Sequence, residues 1–209
     1  TKVAPKAKKV PVRYVGNPIS LQAFPFLKRK YHHRVGMLGR VTAKKGNLEA
    51  VEWLKVLRGQ DARYVLIMRG WHDDWYGRRV RDAARKLRGS VELKPRAQAG
   101  LLGWFRSIDI ITSLSAQEAF HVSICEGMAT GCFPVVLEWP RAKAGARWVY
   151  PKWARVRNRM EWIQRVRRWG AHSPAEKKRL GMKSRQFVID HHSVPRFTDR
   201  LEAAFGKVL

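Results

Sequence analysis

Acidic residues are scarce in this chain: 16 Asp and Glu stand against 43 Lys and Arg in 209 residues, a formal charge of +27. A field of that sign disfavours cationic partners and draws polyanions at low salt, whether nucleic acid, an anionic membrane face or a phosphorylated ligand. Cysteine is nearly missing as well. Cys125 and Cys132 are the only two, which excludes a disulfide framework and a cysteine zinc site and fits a reducing compartment. No apolar run approaches the ~20 residues of a membrane span, and none reads as a signal-peptide core. The adjacent pairs His32-His33 and His191-His192 lack the i, i+4 or carboxylate spacing of a metal site. Neither a Gly-x-Gly-x-x-Gly fingerprint nor a Walker A loop occurs, and there is no internal repeat.

What is present is an alternation. Arg34–Gly39 is a short apolar run before a turn; Leu48, Val51, Leu54 and Leu57 follow at helical spacing; Arg63–Met68 is β-rich and too short for a helix. Val80, Ala83, Ala84 and Leu87 repeat the helical pattern up to Gly89, and Ser90–Leu93 reads as a brief strand. A helix over 97–106, a strand over Ile108–Thr112, a helix over 121–130 and a strand over Phe133–Leu137 come next, with a short last strand near Arg147–Tyr150. The pattern predicts an α/β fold, Rossmann-like and doubly wound, with a mostly parallel sheet of about six strands and helices on both faces. Continuous apolar strands agree, because parallel strands are buried on both sides. After residue 158 the chain turns helical: Trp162, Ile163, Val166 and Trp169 form one stripe, Ser173-Pro-Ala-Glu176 is a helix start, and Phe197 to Val208 mark a terminal helix. Residues 1–14 read as a basic arm or hinge and 15–209 as a single domain; the initial Thr suggests an excised piece of a longer protein.

Two constellations carry chemistry. Gly39-Arg40-Val-Thr-Ala-Lys44-Lys45-Gly46 lies between the first strand and first helix. Its glycines permit tight turns, the helix N-terminus offers free N–H groups, and Arg40 and Lys45 add two cations suited to a diphosphate. Taken alone, it reads equally as a solvated basic loop. The second is Ser115-Ala-Gln-Glu118-Ala-Phe-His121-Val-Ser-Ile-Cys-Glu126-Gly-Met-Ala-Thr-Gly131. On one helix, positions eight apart lie about 80° apart around the axis. In a strand–loop–helix arrangement both carboxylates reach one crevice, where each accepts hydroxyl hydrogen bonds. Trp139-Pro-Arg-Ala142, after a strand end, is an aromatic that covers a ligand or plugs the core rim.

Together these motifs resemble the C-terminal, nucleotide-sugar-binding domain of a GT-B glycosyltransferase of the family 4 type. Arg40 and Lys45 keep that family's Gly-Arg to Lys-Gly spacing; Glu118 and Glu126 keep its Glu-x7-Glu, followed by Met128-Ala-Thr-Gly-Cys-Phe-Pro-Val-Val136. The resemblance covers about residues 15–205. It implies that Arg40 and Lys45 meet the donor diphosphate, that Glu118 takes hydroxyls of the transferred sugar, and that Glu126 contacts the ribose. Gly39 and the backbone of Phe120, His121, Val122 and Ser123 then face the diphosphate and sugar, and Leu93 and Lys94 lie where the family contacts the nucleobase. It further implies a retaining transfer from a UDP- or GDP-sugar to a glycan or lipid-linked acceptor, with no metal and no cofactor. The partners are the donor, an N-terminal acceptor domain absent from these 209 residues, and an anionic face of the cytoplasmic membrane. This chain departs from the family at Glu118-Ala-Phe-His121, where Glu-Gly-Phe-Gly is usual.

The competing expectation is a basic nucleic-acid-binding α/β module without catalytic activity. It rests on the charge and on the Trp-containing stretch Arg141–Arg168, where ten Lys or Arg face one acid, Glu161. Cations interleaved with aromatics are the composition of single-strand binders, although no nucleic-acid motif accompanies them.

Overall fold

A computed structural model describes residues 16–95, 99–116, 118, 120–138 and 149–205. The arm over 1–14, Trp139–Ala142 and the Arg147–Trp148 half of the expected last strand lie outside the described residues.

The sheet has six parallel strands: β1 (Arg34–Leu38), β2 (Val65–Trp71), β3 (Val91–Pro95), β4 (Ile110–Ser113), β5 (Phe133–Leu137) and β6 (Arg155–Val156). Their order is β3-β2-β1-β4-β5-β6. Helices α1 (Asn47–Gln60), α2 (Trp75–Arg85), α3 (Leu101–Ser107) and α4 (Val122–Ala129) connect the first five strands. Helices α5 (Arg159–Ala171), α6 (Pro174–His192) and α7 (Val194–Phe205) form the C-terminal tail.

The strands sort their side chains by parity, as the two-residue period of a strand requires. Val35 and Met37, Leu66 and Met68, Ile110 and Val135 join a core with Val51, Leu54, Val80, Trp162, Val166 and Trp169. Ile67, Ile111 and Val136 face the other way, into a core with Trp104, Phe105, Ile124, Met128 and Val188. Helices α1, α2 and α5 therefore cover one face, and α3, α4 and α6 the other. Trp162 and Trp169 are 1% and 2% exposed, and truncating a buried Trp costs about 3–5 kcal/mol.

Caps match the local sequence. Ser173 and Glu176 close a reciprocal capping box on α6, and the Asn158 side chain accepts the Glu161 amide at the start of α5. Two boundaries differ from the sequence reading. Helix α3 begins at Leu101, not 97, because Gly100 enters it in a left-handed conformation. The sixth strand is Arg155–Val156; Val149 and Tyr150 are outside the sheet, buried in the core that residues of α3 and α4 share. Both cysteines are buried free thiols.

The tail is tied back through His192, 2% exposed. Its backbone carbonyl accepts the Ile19 amide at 2.7 Å, and its Nε2 lies 3.0 Å from the Val149 carbonyl. Burial pushes its pKa down to about 4, so the ring is neutral in the fold while the unfolded chain protonates near 6.5. The unfolded state thus binds more protons between these values. This part of the stability is full above pH ~6.5 and is lost as pH falls through about 4. Denaturant melts at pH 7 and pH 5 should show wild type weakened at the lower pH. His192→Gln should cost about 1 kcal/mol at pH 7, through a poorer hydrogen bond, and flatten the pH dependence. An unchanged slope would show that the ring does not carry it.

A candidate nucleotide-sugar crevice

The order of the strands reverses between β1 and β4. The chain leaves β1 toward α1 on one face and leaves β4 toward α4 on the other, so their loops part and open a crevice at the carboxyl edge of the sheet. Both sequence constellations lie here.

The first loop, after β1, is shaped by its glycines. Gly39 leaves the strand at φ 145°, and its amide donates to the Arg69 carbonyl at 3.1 Å. A Cβ on Gly70 would stand 2.1 Å from the Gly39 carbonyl oxygen, so this loop lies directly against the end of β2. A turn of 3₁₀ helix, Ala43–Lys45, ends at Gly46, which is left-handed at φ 71° and opens α1. Asn47, 2% exposed, accepts the Thr42 amide through its side chain at 3.0 Å. Arg40 lies exposed on this loop and Lys45 half-buried.

The second loop, after β4, meets the first. The Ala116 amide donates to the Lys44 carbonyl at 3.0 Å, and Lys45 Nζ donates to Glu118 Oε1. The Glu118 side chain is only 9% exposed. Desolvation opposes its charge, but the neighbouring His121, the Lys45 ammonium and the Ser115 hydroxyl outweigh it and hold the carboxyl below its ordinary value. His121 is itself driven down to about 4, chiefly by burial, so at neutral pH the Lys45 and Ser115 contacts are what keep Glu118 ionised. His121 Nδ1 stands 3.6 Å from Glu118 Oε1, beyond hydrogen-bond range, and is buried with no hydrogen-bond partner.

His121 is the residue before α4, yet its side chain caps nothing. The Ser123 hydroxyl donates to the Leu38 carbonyl at 3.2 Å, pinning the first turn of α4 to the end of β1. Glu126 lies one turn further along the face that carries Ser123. Its carboxylate makes no hydrogen bond or ion pair among the described residues, and desolvation raises its pKa. Phe120 packs edge-on against His192, with ring centroids 5.3 Å apart. Phe120, His121, Val122 and Ser123 thus stand together at the crevice with Gly39, Lys45 and Glu118.

Leu93 and Lys94 lie on β3, two strands away. They occupy the same edge, because Leu38 pairs with Arg69 and Arg69 with Lys94. Lys94 is 3.2 Å from Glu92. The sequence reading did not single out Ser115 or Asn47 for a role. Each is a polar side chain buried at a strand end or helix start, and that position was the available signal. No group of three or more His, Cys, Asp or Glu able to hold a metal occurs among the described residues.

No family model matches this sequence, and no curated protein matches it. Solved structures do. A glycosyltransferase from Rickettsia africae ESF-5 superposes with TM-score 0.76 at 20% identity, over 91% of this chain and 55% of that one. The fold is that of a GT-B glycosyltransferase domain. The C-terminal domain of the group 1 glycosyl transferase LpcC from Francisella tularensis matches with TM-score 0.65 at 16% identity, over 84% of this chain and 99% of that one. A mutant of S. aureus TarM, in complex with fondaparinux, alpha-GlcNAc-glycerol and UDP, matches with TM-score 0.66 at 17% identity, over 86% of this chain and 38% of that one. The chain therefore spans about half of the Rickettsia enzyme and nearly all of the isolated LpcC domain.

A Cβ on Gly46 would meet the Leu114 carbonyl at 2.5 Å, at a φ that L-residues seldom adopt. Gly46→Ala should lower stability by roughly 1–3 kcal/mol, read as a lower midpoint in urea. Gly89→Ala, with a similar φ but no neighbour within 4 Å, should lose less. Equal losses would mean that the contact with Leu114 is unimportant.

Proposed function

We propose that this chain is the donor-binding domain of a retaining, metal-independent glycosyltransferase that moves a sugar from a UDP- or GDP-sugar to a glycan or lipid-linked acceptor. The observation that carries the reading is the meeting of Lys45 with Glu118 across the β1/β4 crevice. Two motifs 73 residues apart converge where a doubly wound sheet binds ligands.

In this reading Arg40 and Lys45 face the diphosphate. Their charge offsets what develops on the leaving nucleotide as the glycosidic carbon–oxygen bond breaks. Glu118, ionised and dry, accepts hydroxyls of the transferred sugar, and Lys45 keeps it oriented. Glu126 accepts the ribose hydroxyls; its lack of a protein partner and its desolvated carboxyl favour such donors. Leu93 and Lys94 flank the nucleobase through their backbone. The UDP held by TarM supports a uridine nucleotide as the first ligand to try. The acceptor site belongs to a second domain, in keeping with the half-length match to the Rickettsia enzyme, and the 209 residues alone should transfer no sugar. A cytoplasmic setting with the basic surface on anionic lipid completes the proposal; no helix among the described residues is long and apolar enough to cross a membrane.

Where its stretch Arg141–Arg168 is described, the alternative nucleic-acid reading has little aromatic surface to stack on: Trp162 is in the core, and Trp153 stacks on Phe133 with Lys183 over its ring.

Calorimetric titration with UDP, GDP and uridine tests the assignment. A diphosphate should bind and uridine much less. Arg40→Ala and Lys45→Ala should each weaken binding roughly 10- to 100-fold, the worth of a charge-assisted hydrogen bond. Glu126→Ala should weaken it by about fivefold. Absence of binding by either nucleotide, or variants indistinguishable from wild type, would sink the reading.

A further inference from the structure

A second concentration of charge lies at the opposite end of the same strands. A cavity of about 820 Å³ opens beside Arg34 and Val65, the first residues of β1 and β2, whereas the donor crevice is at their last residues. Its cationic lining is Lys28, Arg29, Lys30, Arg34 and Arg106, with His32 among them.

These cations are not equivalent. Arg29 is structural: its guanidinium donates to the carbonyls of Ile108 at 2.6 Å and Thr130 at 2.5 Å. Lys28, Lys30 and Arg106 make no ion pair or hydrogen bond through their side chains among the described residues. Arg34 has one acidic neighbour, Glu92, at 3.9 Å, the outer limit of an ion pair. Asp109, which contacts the backbone of two lining residues, is 3% exposed and does not itself line the cavity. Its Oδ2 is turned inward to accept the amides of His32 at 2.8 Å and Arg34 at 2.9 Å. It therefore rigidifies the strand entrance that carries His32 and Arg34 and leaves the cavity mouth positive. Two lysines and two guanidinium groups line this ligand-sized space, with the backbone of Arg34 held by the buried Asp109; they are a phosphate-recognition set, in which the forks bind bidentately and the lysines act as point charges. Four such cations call for a ligand with at least two negative charges, as a diphosphate or phosphomonoester carries.

We propose that this cavity is a second anion site, distinct from the donor crevice, for a phosphate-bearing ligand. The phosphate comes either from a soluble phosphorylated metabolite or from a phospholipid headgroup. The site does not depend on the donor assignment.

The test follows backbone amide NMR shifts while pyrophosphate is added at about 0.15 M salt, where long-range attraction is screened. Amides of Lys28–Arg34 and Gly103–Ser107 should shift as one set, separately from any set at Gly39–Gly46. The variant Lys28→Gln/Lys30→Gln/Arg106→Gln should weaken that response at least ~tenfold, about 1.4 kcal/mol. A variant of equal charge change elsewhere, Lys55→Gln/Arg79→Gln/Lys86→Gln, should stay within about twofold. Co-sedimentation with phosphatidylcholine vesicles, with and without phosphatidic acid, is the lipid arm. Vesicle binding that requires phosphatidic acid and is lost only in the first variant assigns the phosphate to a headgroup; pyrophosphate binding without it assigns a soluble ligand. Failure of both arms, or equal weakening by the two variants, overturns the proposal.

Discussion

A doubly wound parallel sheet has one place where successive connections leave for opposite faces, and the backbone there is committed to neither layer. Here that place is the gap between β1 and β4, and two contacts join its loops, the Ala116 amide on the Lys44 carbonyl and the Lys45 ammonium on Glu118, beside the Ser123 hydroxyl on the Leu38 carbonyl. The first sets the spacing of the loops and the second sets the charge between them. Burying a carboxylate without a partner is costly, so the position of Glu118 is tenable only because Lys45 and Ser115 reach it. Gly46, on which a Cβ would lie 2.5 Å from the Leu114 carbonyl oxygen, lets the loops come close enough for that reach. The site is thus a consequence of the topology, and its electrostatics are a consequence of the loop geometry.

The large positive charge has several physical uses, and total charge does not distinguish them. Arg29 and Arg185 are brackets. Arg29 collects carbonyls from the α3–β4 and α4–β5 connections. Arg185 donates to Phe24 and to Ala129, the last residue of α4. Both satisfy carbonyl groups that helix ends leave open. Lys177 stands over the Trp169 ring with its ammonium on the Gly170 carbonyl. Along α5 the indoles of Trp162 and Trp169 turn inward while Arg159, Arg167 and Arg168 are exposed, as an amphipathic helix on a sheet demands. Lys28, Lys30 and Arg106 have no such internal partner among the described residues and are exposed.

Much of the fold was legible in the chain. The continuous apolar runs at Arg34–Gly39 and Arg63–Met68, helical spacing in Val51–Leu54 and Val80–Ala84, and the Ser173–Glu176 cap all act through neighbours a few residues away, and each element formed where its pattern stood. The misplaced last strand has a tertiary cause. Val149 and Tyr150 have strand-like composition but are buried in the core outside the sheet, while Arg155–Val156, two residues with little pattern of their own, pair with β5. The edge of a sheet is chosen by what docks against it. Helix α3 started late because Gly100 turned left-handed into it.

The sequence by itself determined the order of elements, the two-faced character of the sheet, and the two motifs whose spacing singled out Arg40, Lys45, Glu118 and Glu126. Those are properties of periodicity and local chemistry. Only the tertiary structure decided that Lys45 and Glu118 touch, that His121 is buried and neutral beside them, that Glu126 has no partner among the described residues, and that Asp109 holds the backbone of His32 and Arg34 beside a basic cavity at the far edge. Such facts depend on side chains brought together from distant positions. Burial and partner distance, which set their protonation and reach, exist only once the strands have chosen their order.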